Sequence, residues 1–159
     1  MNKAYVRLAK YEDAYVLAPK VREADKAELK ASDNIEPLEA LQSPFSEKRS
    51  ITYSIVEDKD NNQEDILGMF GTVPTSIGYL GIIWLLSSDR LRKYSKRFLK
   101  ENDKWIKEIS KDYRCVYNYV DCRNTVSKRW LEHLGFELIE TKPYGHAQSD
   151  FNLYIKELH

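Results

Sequence analysis

Asn124-Thr125-Val126-Ser127-Lys128-Arg129-Trp130-Leu131-Glu132-His133-Leu134-Gly135-Phe136 is the stretch on which the fold turns. Asn124 or Thr125 is suited to cap a helix, Val126, Trp130 and Leu134 form its apolar stripe, and Gly135 stops it as a C-terminal glycine does. On its N-terminal side Cys115, Tyr117 and Tyr119 alternate with Val116, Asn118 and Val120, which predicts a strand. On its C-terminal side Phe136–Ile139 and Phe151–Ile155 predict two more. Further upstream, Leu91, Tyr94, Phe98, Trp105 and Ile109 mark one face of a long helix ending near Asp112. Before it, Tyr79–Leu86 is a nearly continuous apolar run, as expected of a central strand buried on both faces, closed by the potential capping residues Ser87, Ser88 and Asp89.

The N-terminal half completes the pattern. Tyr5–Leu8 reads as a first strand, and a helix opening at Glu12 or Asp13 runs to about Ala31, with Pro19 too far in to be a first-turn proline, which predicts a kink or a later true start. Ser32–Asn34 breaks it and Glu36–Gln42 begins a second helix. Ile51–Val56 and Ile66–Val73 flank the polar turn Asp58–Asn62 as a hairpin. The order is β-α-α-β-β-β-α-β-α-β-β: an α/β (α+β) fold, a mixed central sheet of about seven strands with helices on both faces, in a single domain over 1–159.

Composition narrows the function classes. With 159 residues, 42% of them hydrophobic, the chain can bury a core unaided, and 6 Gly, 5 Pro and 12% aromatics exclude a collagen-like or low-complexity chain. No apolar run reaches the roughly 20 residues of a spanning helix, and Met1–Ala4 open without an apolar signal core, so no membrane partner is expected. Cys115 and Cys122 are poorly placed for a disulfide and lack companions for a metal site, which fits a reducing compartment. The 25 basic and 25 acidic side chains balance, arguing against a nucleic-acid partner. The charges are nevertheless segregated: Arg90–Lys111 carries nine basic and three acidic residues, Glu12–Glu47 nine acidic and four basic. The basic segment is either a solvated helix face or a place for an anionic ligand.

The element order and the Asn124–Phe136 segment resemble the GNAT superfamily of acyl-CoA-dependent N-acyltransferases, in which an Asn opens the fourth helix and Gly-Phe starts the next strand. Three separated segments resemble a narrower GNAT-like family, the bacteriophage internal virion protein A family. They are Val21–Asp25 followed by Pro37–Leu41, then Trp84–Asp89, then Asn118–Asn124 running into Arg129–Leu131. That resemblance implies a phage-encoded protein in the cytoplasm of an infected bacterium or packaged in the phage particle.

What the GNAT resemblance implies for the chemistry can be followed residue by residue. Acetyl-CoA is the expected cofactor, with no metal, and it would lie between the fourth and fifth strands with its pyrophosphate at the start of the third helix. The family's Arg/Gln-x-x-Gly-x-Gly/Ala loop corresponds to Arg92-Lys93-Tyr94-Ser95-Lys96-Arg97, where Ser95 and Arg97 replace the glycines. Arg92, Ser95, Lys96 and Arg97 are therefore expected to hold phosphate by side chain. Leu86, Ser87 and Ser88 would offer backbone groups to the pantetheine, and Asn124 would order the exit of the fifth strand. Leu131 stands where the family has its tyrosine acid, and no carboxylate lies on Tyr79–Leu86. Asp121 and His146 are the substitute catalytic candidates, His133 points away, and Tyr117 and Tyr119 are expected in the core. Two functions stand side by side: an acyltransferase acting on an unidentified amine, and a non-catalytic virion or morphogenesis protein using the fold as a scaffold for a phage or host protein.

Overall fold

Ile66, Leu67, Met69 and Phe70 are consecutive or nearly so, yet each is almost wholly buried. That requires a strand covered on both faces, and the computed structural model, which describes residues 3–158, places them at the centre of one seven-stranded sheet. The strands are β1 (Lys3–Leu8), β2 (Ile51–Asp58), β3 (Glu64–Pro74), β4 (Leu80–Ser87), β5 (Cys115–Asp121), β6 (Glu137–Tyr144) and β7 (Ser149–Glu157). Their spatial order is β1-β2-β3-β4-β5-β7-β6, and every neighbouring pair is antiparallel except β4 with β5. The mixed sheet expected from the element order is the one found.

Helices cover the two faces. On one, α4 (Ser95–Ile109) turns Phe98, Ile106 and Ile109 onto the sheet, and α5 (Thr125–His133) adds Trp130 and Leu131, packing with Tyr53, Phe70, Ile83, Val116 and Tyr154. On the other, α1 (Asp13–Leu17) and α3 (Pro37–Gln42) bring Ala14, Leu17 and Leu41 against Val56, Ile66, Met69 and Leu86. Each large apolar side chain so buried contributes about 1.5–3 kcal/mol. Asn124 caps α5, its Oδ1 accepting from the Ser127 N–H (3.4 Å), and Gly135 follows the helix at φ +86°, a left-handed position that favours glycine.

The first helix is interrupted where Pro19 predicts a kink or a later start, and the long helix expected from Leu91 opens instead as a 3-10 turn, Asp89–Tyr94. The helix expected to run from Glu12 to Ala31 is broken into α1, a 3-10 turn at Ala18–Lys20, and α2 (Glu23–Ser32). Between them Val21 leaves the helix to bridge Ser88, and the Arg22 N–H donates to the Ser87 carbonyl at 2.9 Å. The break thus ties α2 to the end of β4.

Candidate active site

The parallel pairing of β4 with β5 lasts only for Leu80–Cys115, Gly81–Val116 and Ile82–Tyr117. Beyond Ile82 each strand keeps only its outer neighbour, β3 or β7, and the two splay apart. Along β4 the odd-numbered backbone groups face β5: the Tyr79 carbonyl accepts from Cys115 N–H (3.3 Å), and the Ser87 N–H reaches α2. By the period-two alternation of a strand, Leu85 N–H points into the gap where its strand partner is missing.

α2 spans the mouth of that gap with two carboxylates three residues apart, on one helix face. Asp25 accepts the Ser87 N–H at the tip of β4 (3.1 Å), and Glu28 Oε1 accepts the Asp121 N–H at the tip of β5 (2.8 Å). Fully buried Asn124 joins them, its amide donating to Asp25 (2.9 Å) and Glu28 (3.4 Å), while Arg22 pairs with Asp25 at 3.1 Å. Burial pushes Glu28 up to about 8, with the Asp25 and Asp121 charges adding to it against the pull of the two hydrogen bonds. Burial likewise raises Asp25 above the usual carboxylate range.

Two cavities open on opposite faces of the splay and share Leu85. The first, about 410 Å³, lies against α4 and α5 and is lined by Arg22, Arg92 and Arg129 with Ser87, Ser88, Ser95 and Trp130. Asp89 is its single carboxylate, and neither Arg92 nor Arg129 has an ion-pair partner among the described residues. The second, about 280 Å³, lies against α2 and is lined by Glu28, Asp33, Trp84, Tyr117, Tyr119 and Tyr144, with no Lys, Arg or His. An anion-seeking cleft and a cation-seeking one therefore meet where the sheet opens.

Of the residues expected at a cofactor, Ser87, Ser88, Arg92 and Ser95 stand together around the first cavity. Leu86 lines the second instead. Arg97 turns away, ion-pairing Glu101 at 3.6 Å beside a shallow hollow under β1, and exposed Lys96 lines neither cavity. Asn124 sits behind the splay as a helix cap rather than on the cleft wall. The loop before α4 is a 3-10 turn, Asp89–Tyr94, tied down by Arg90 donating twice to Glu57 (2.6 and 3.0 Å) and by the Tyr94 hydroxyl on the same carboxylate.

The catalytic candidates are placed less favourably. Although burial works against it, paired Arg123 holds the Asp121 carboxylate below its usual range through a bidentate contact (3.0 and 2.6 Å) and a backbone N–H (2.9 Å). His146 is exposed at the β6–β7 turn, where its N–H donates to the Ser32 carbonyl (2.8 Å). Exposed His133 lies against the Leu99 carbonyl at 3.3 Å, and Leu131 is core. Tyr117 and Tyr119 do not enter the core: they are half-buried on the wall of the second cavity, Tyr117 at the last pairing with β4 and Tyr119 just beyond it, where β4 has left. The same opening leaves Trp84 and Leu85 on β4 half-buried. Glu28, Arg22 and Arg129 escaped the sequence reading. The one signal for Glu28 was its three-residue spacing from Asp25, which also describes any solvated helix face.

No family model and no curated protein matches this chain. Solved structures do. The GNAT-family acetyltransferase from Streptococcus pneumoniae aligns over 99% of this chain and 100% of its own at 17% identity, TM-score 0.62. A GCN5-related N-acetyltransferase from Kribbella flavida aligns over 98% of both chains at 17% identity, TM-score 0.67. The ribosomal-protein-S5-alanine acetyltransferase from Vibrio fischeri aligns over 97% of this chain and 92% of its own at 18% identity, TM-score 0.64. The chain therefore has the GNAT fold.

Proposed function

We propose that the protein is an acyl-CoA-dependent N-acyltransferase that brings its two substrates together through the splay between β4 and β5. The meeting of an arginine-lined cavity with a carboxylate-lined one at Leu85 carries this reading. Arg22, Arg92 and Arg129 fit the polyphosphate of the donor, side chains standing in for the close backbone approach that glycines would allow. The Leu85 N–H, free of a strand partner, is the donor best placed for a thioester carbonyl. When bound, acyl-CoA supplies an activated acyl group whose thiol, with an ordinary pKa of about 8.5, departs as the anion without a strong protein acid. This accommodates Leu131 at the position where a tyrosine acid would otherwise be sought. Glu28, on the opposite cavity, takes the proton that an ammonium acceptor must lose before its nitrogen can react.

A second reading is a non-catalytic phage internal virion or morphogenesis protein acting in the infected bacterium. The three segments that resemble the internal virion protein A family and the buried Leu131 favour it. Calorimetric titration with acetyl-CoA, and with CoA as control, decides between them. Saturable binding is expected at micromolar ligand, weakened about tenfold or more when Arg92 and Arg129 are both replaced by Ala, with the melting temperature nearly unchanged. Absence of binding at millimolar acetyl-CoA would leave the scaffold reading standing.

A further inference from the structure

The carboxylate-lined cavity has more character than a generic acceptor site needs. Tyr119 and Tyr144 stack face to face, with centroids 3.9 Å apart and planes 12° from parallel. Tyr117 meets Tyr119 edge-on at 6.1 Å. Such a stack presents electron-rich ring faces, and the fold already exploits one: the Lys142 ammonium, itself paired with Glu140 at 3.1 Å, lies 5.4 Å from the Tyr119 centroid. The floor is apolar, formed by Val73, Ile82 and Leu85. One side is bounded by the β6–β7 turn, which docks on the end of α2 through His146 N–H to Ser32 O (2.8 Å) and Ala147 N–H to Ala31 O (2.9 Å). Gly145 permits that docking, because at φ +75° a Cβ there would stand 2.6 Å from the Ser32 carbonyl oxygen.

We infer that this cavity is an acceptor subsite for a small primary ammonium carried on an apolar stem, the stem lying on Val73, Ile82 and the tyrosine rings, the charge drawn to Asp33 and Glu28 standing by to take its proton. The inference rests on the acyltransferase reading for the fate of the amine, but the recognition is a separate property of the cavity. Three features act together. Asp33, with no cation among the lining residues, sets the sign of the ligand. The aromatic wall favours a cation over an isosteric neutral molecule. The volume of about 280 Å³ and the docked turn set the size, excluding an acceptor that needs a long open groove. Lys142 lies outside this lining, and the charged groups surrounding Glu28 from other elements are Asp121 on β5 and Arg22 ahead of α2.

The test uses 2-phenylethylamine, which is an ammonium at neutral pH, and 2-phenylethanol as its neutral counterpart, titrated calorimetrically into the full chain without acyl-CoA. The amine should bind saturably and the alcohol about tenfold more weakly or worse. Tyr119→Ala should lower amine affinity about tenfold, and Asp33→Asn, an exposed and structurally safe change, about threefold. Both variants should bind acetyl-CoA as the parent does. Equal binding of amine and alcohol, or unaltered amine affinity in both variants, would overturn the inference, as would no amine binding by a chain that binds acetyl-CoA. Selective amine binding by a chain that fails to bind acetyl-CoA would uphold the recognition and remove the acyltransferase reading instead.

Discussion

Glu28 has opposite consequences for stability and for activity. Its folded value of about 8 lies above an ordinary 4.5, so between those two limits the folded protein keeps a proton that the unfolded chain has released. The stability this contributes is complete below about pH 4.5 and is lost as pH rises through 8. Glu28→Gln keeps the carbonyl that accepts from Asp121 and Asn124 yet never ionises. Thermal melts should therefore find the variant more stable than the parent at pH 8–9 and nearly equal to it at pH 5. Turnover should move the other way. If Glu28 is the base, kcat/KM of the parent climbs with pH toward a plateau above about 8, and the variant loses that limb and about 10²–10⁴ in rate. A variant less stable than the parent at high pH, with an unchanged pH profile, would refute the role. Neither property was legible in sequence, because a carboxylate on a helix becomes a buried base only when a sheet opens beneath it. Tyr117 and Tyr119 were misread for the same reason: the alternation that marks a core strand also marks a strand facing a cavity.

Elements anchor the site through contacts of a different kind. The 3-10 turn Asp89–Tyr94 carries Leu91 and Arg92 into the first cavity, and it is fastened to β2 by Glu57. The Arg90 guanidinium beside Glu57, aided by the Tyr94 hydroxyl, holds this fully buried carboxylate at about 2, against an ordinary 4.5. Here the sign reverses: the contribution to stability is present above about pH 4.5 and disappears as pH falls toward 2. Glu57→Gln should cost about 1–3 kcal/mol in urea unfolding at pH 7, since half of Arg90 remains in water and screens the pair. The deficit should shrink between pH 5 and pH 3, and acetyl-CoA affinity at pH 7 should fall as the turn loosens. A constant deficit across that range would mean the ion pair is not its source. The order of strands and helices could be anticipated from local periodicity and capping, but the turn could not, because Leu91 and Tyr94 share the apolar spacing of the long helix that follows. Pro19 announces an interruption of the first helix, but the extended link at Val21 and Arg22 is made by Ser87 and Ser88, more than sixty residues away, and has no local signal.

At the scale of the whole molecule, a chain with no net charge separates its charge across the thickness of one sheet. Segregation of basic and acidic segments was visible in the sequence, but their use was not: the long basic helix sends Arg97 elsewhere, while Arg22 from the acidic segment and Arg129 from α5 complete the anion-seeking wall. The two cavities approach each other at the splay, where Leu85 borders both. This makes Leu85 the position at which binding and reaction can be uncoupled. A larger side chain there would change the boundary between the cavities while leaving both sets of charged residues in the sequence. Leu85→Phe should leave acetyl-CoA and 2-phenylethylamine affinities within about threefold of the parent, since the groups that recognise each ligand are intact. Its kcat should nonetheless fall about 10²-fold, the penalty of misaligning two bound reactants by roughly an ångström. A circular-dichroism melt matching the parent would exclude misfolding as the cause. If both ligands bound and turnover were undiminished, the reactants would be meeting somewhere other than the gap between β4 and β5.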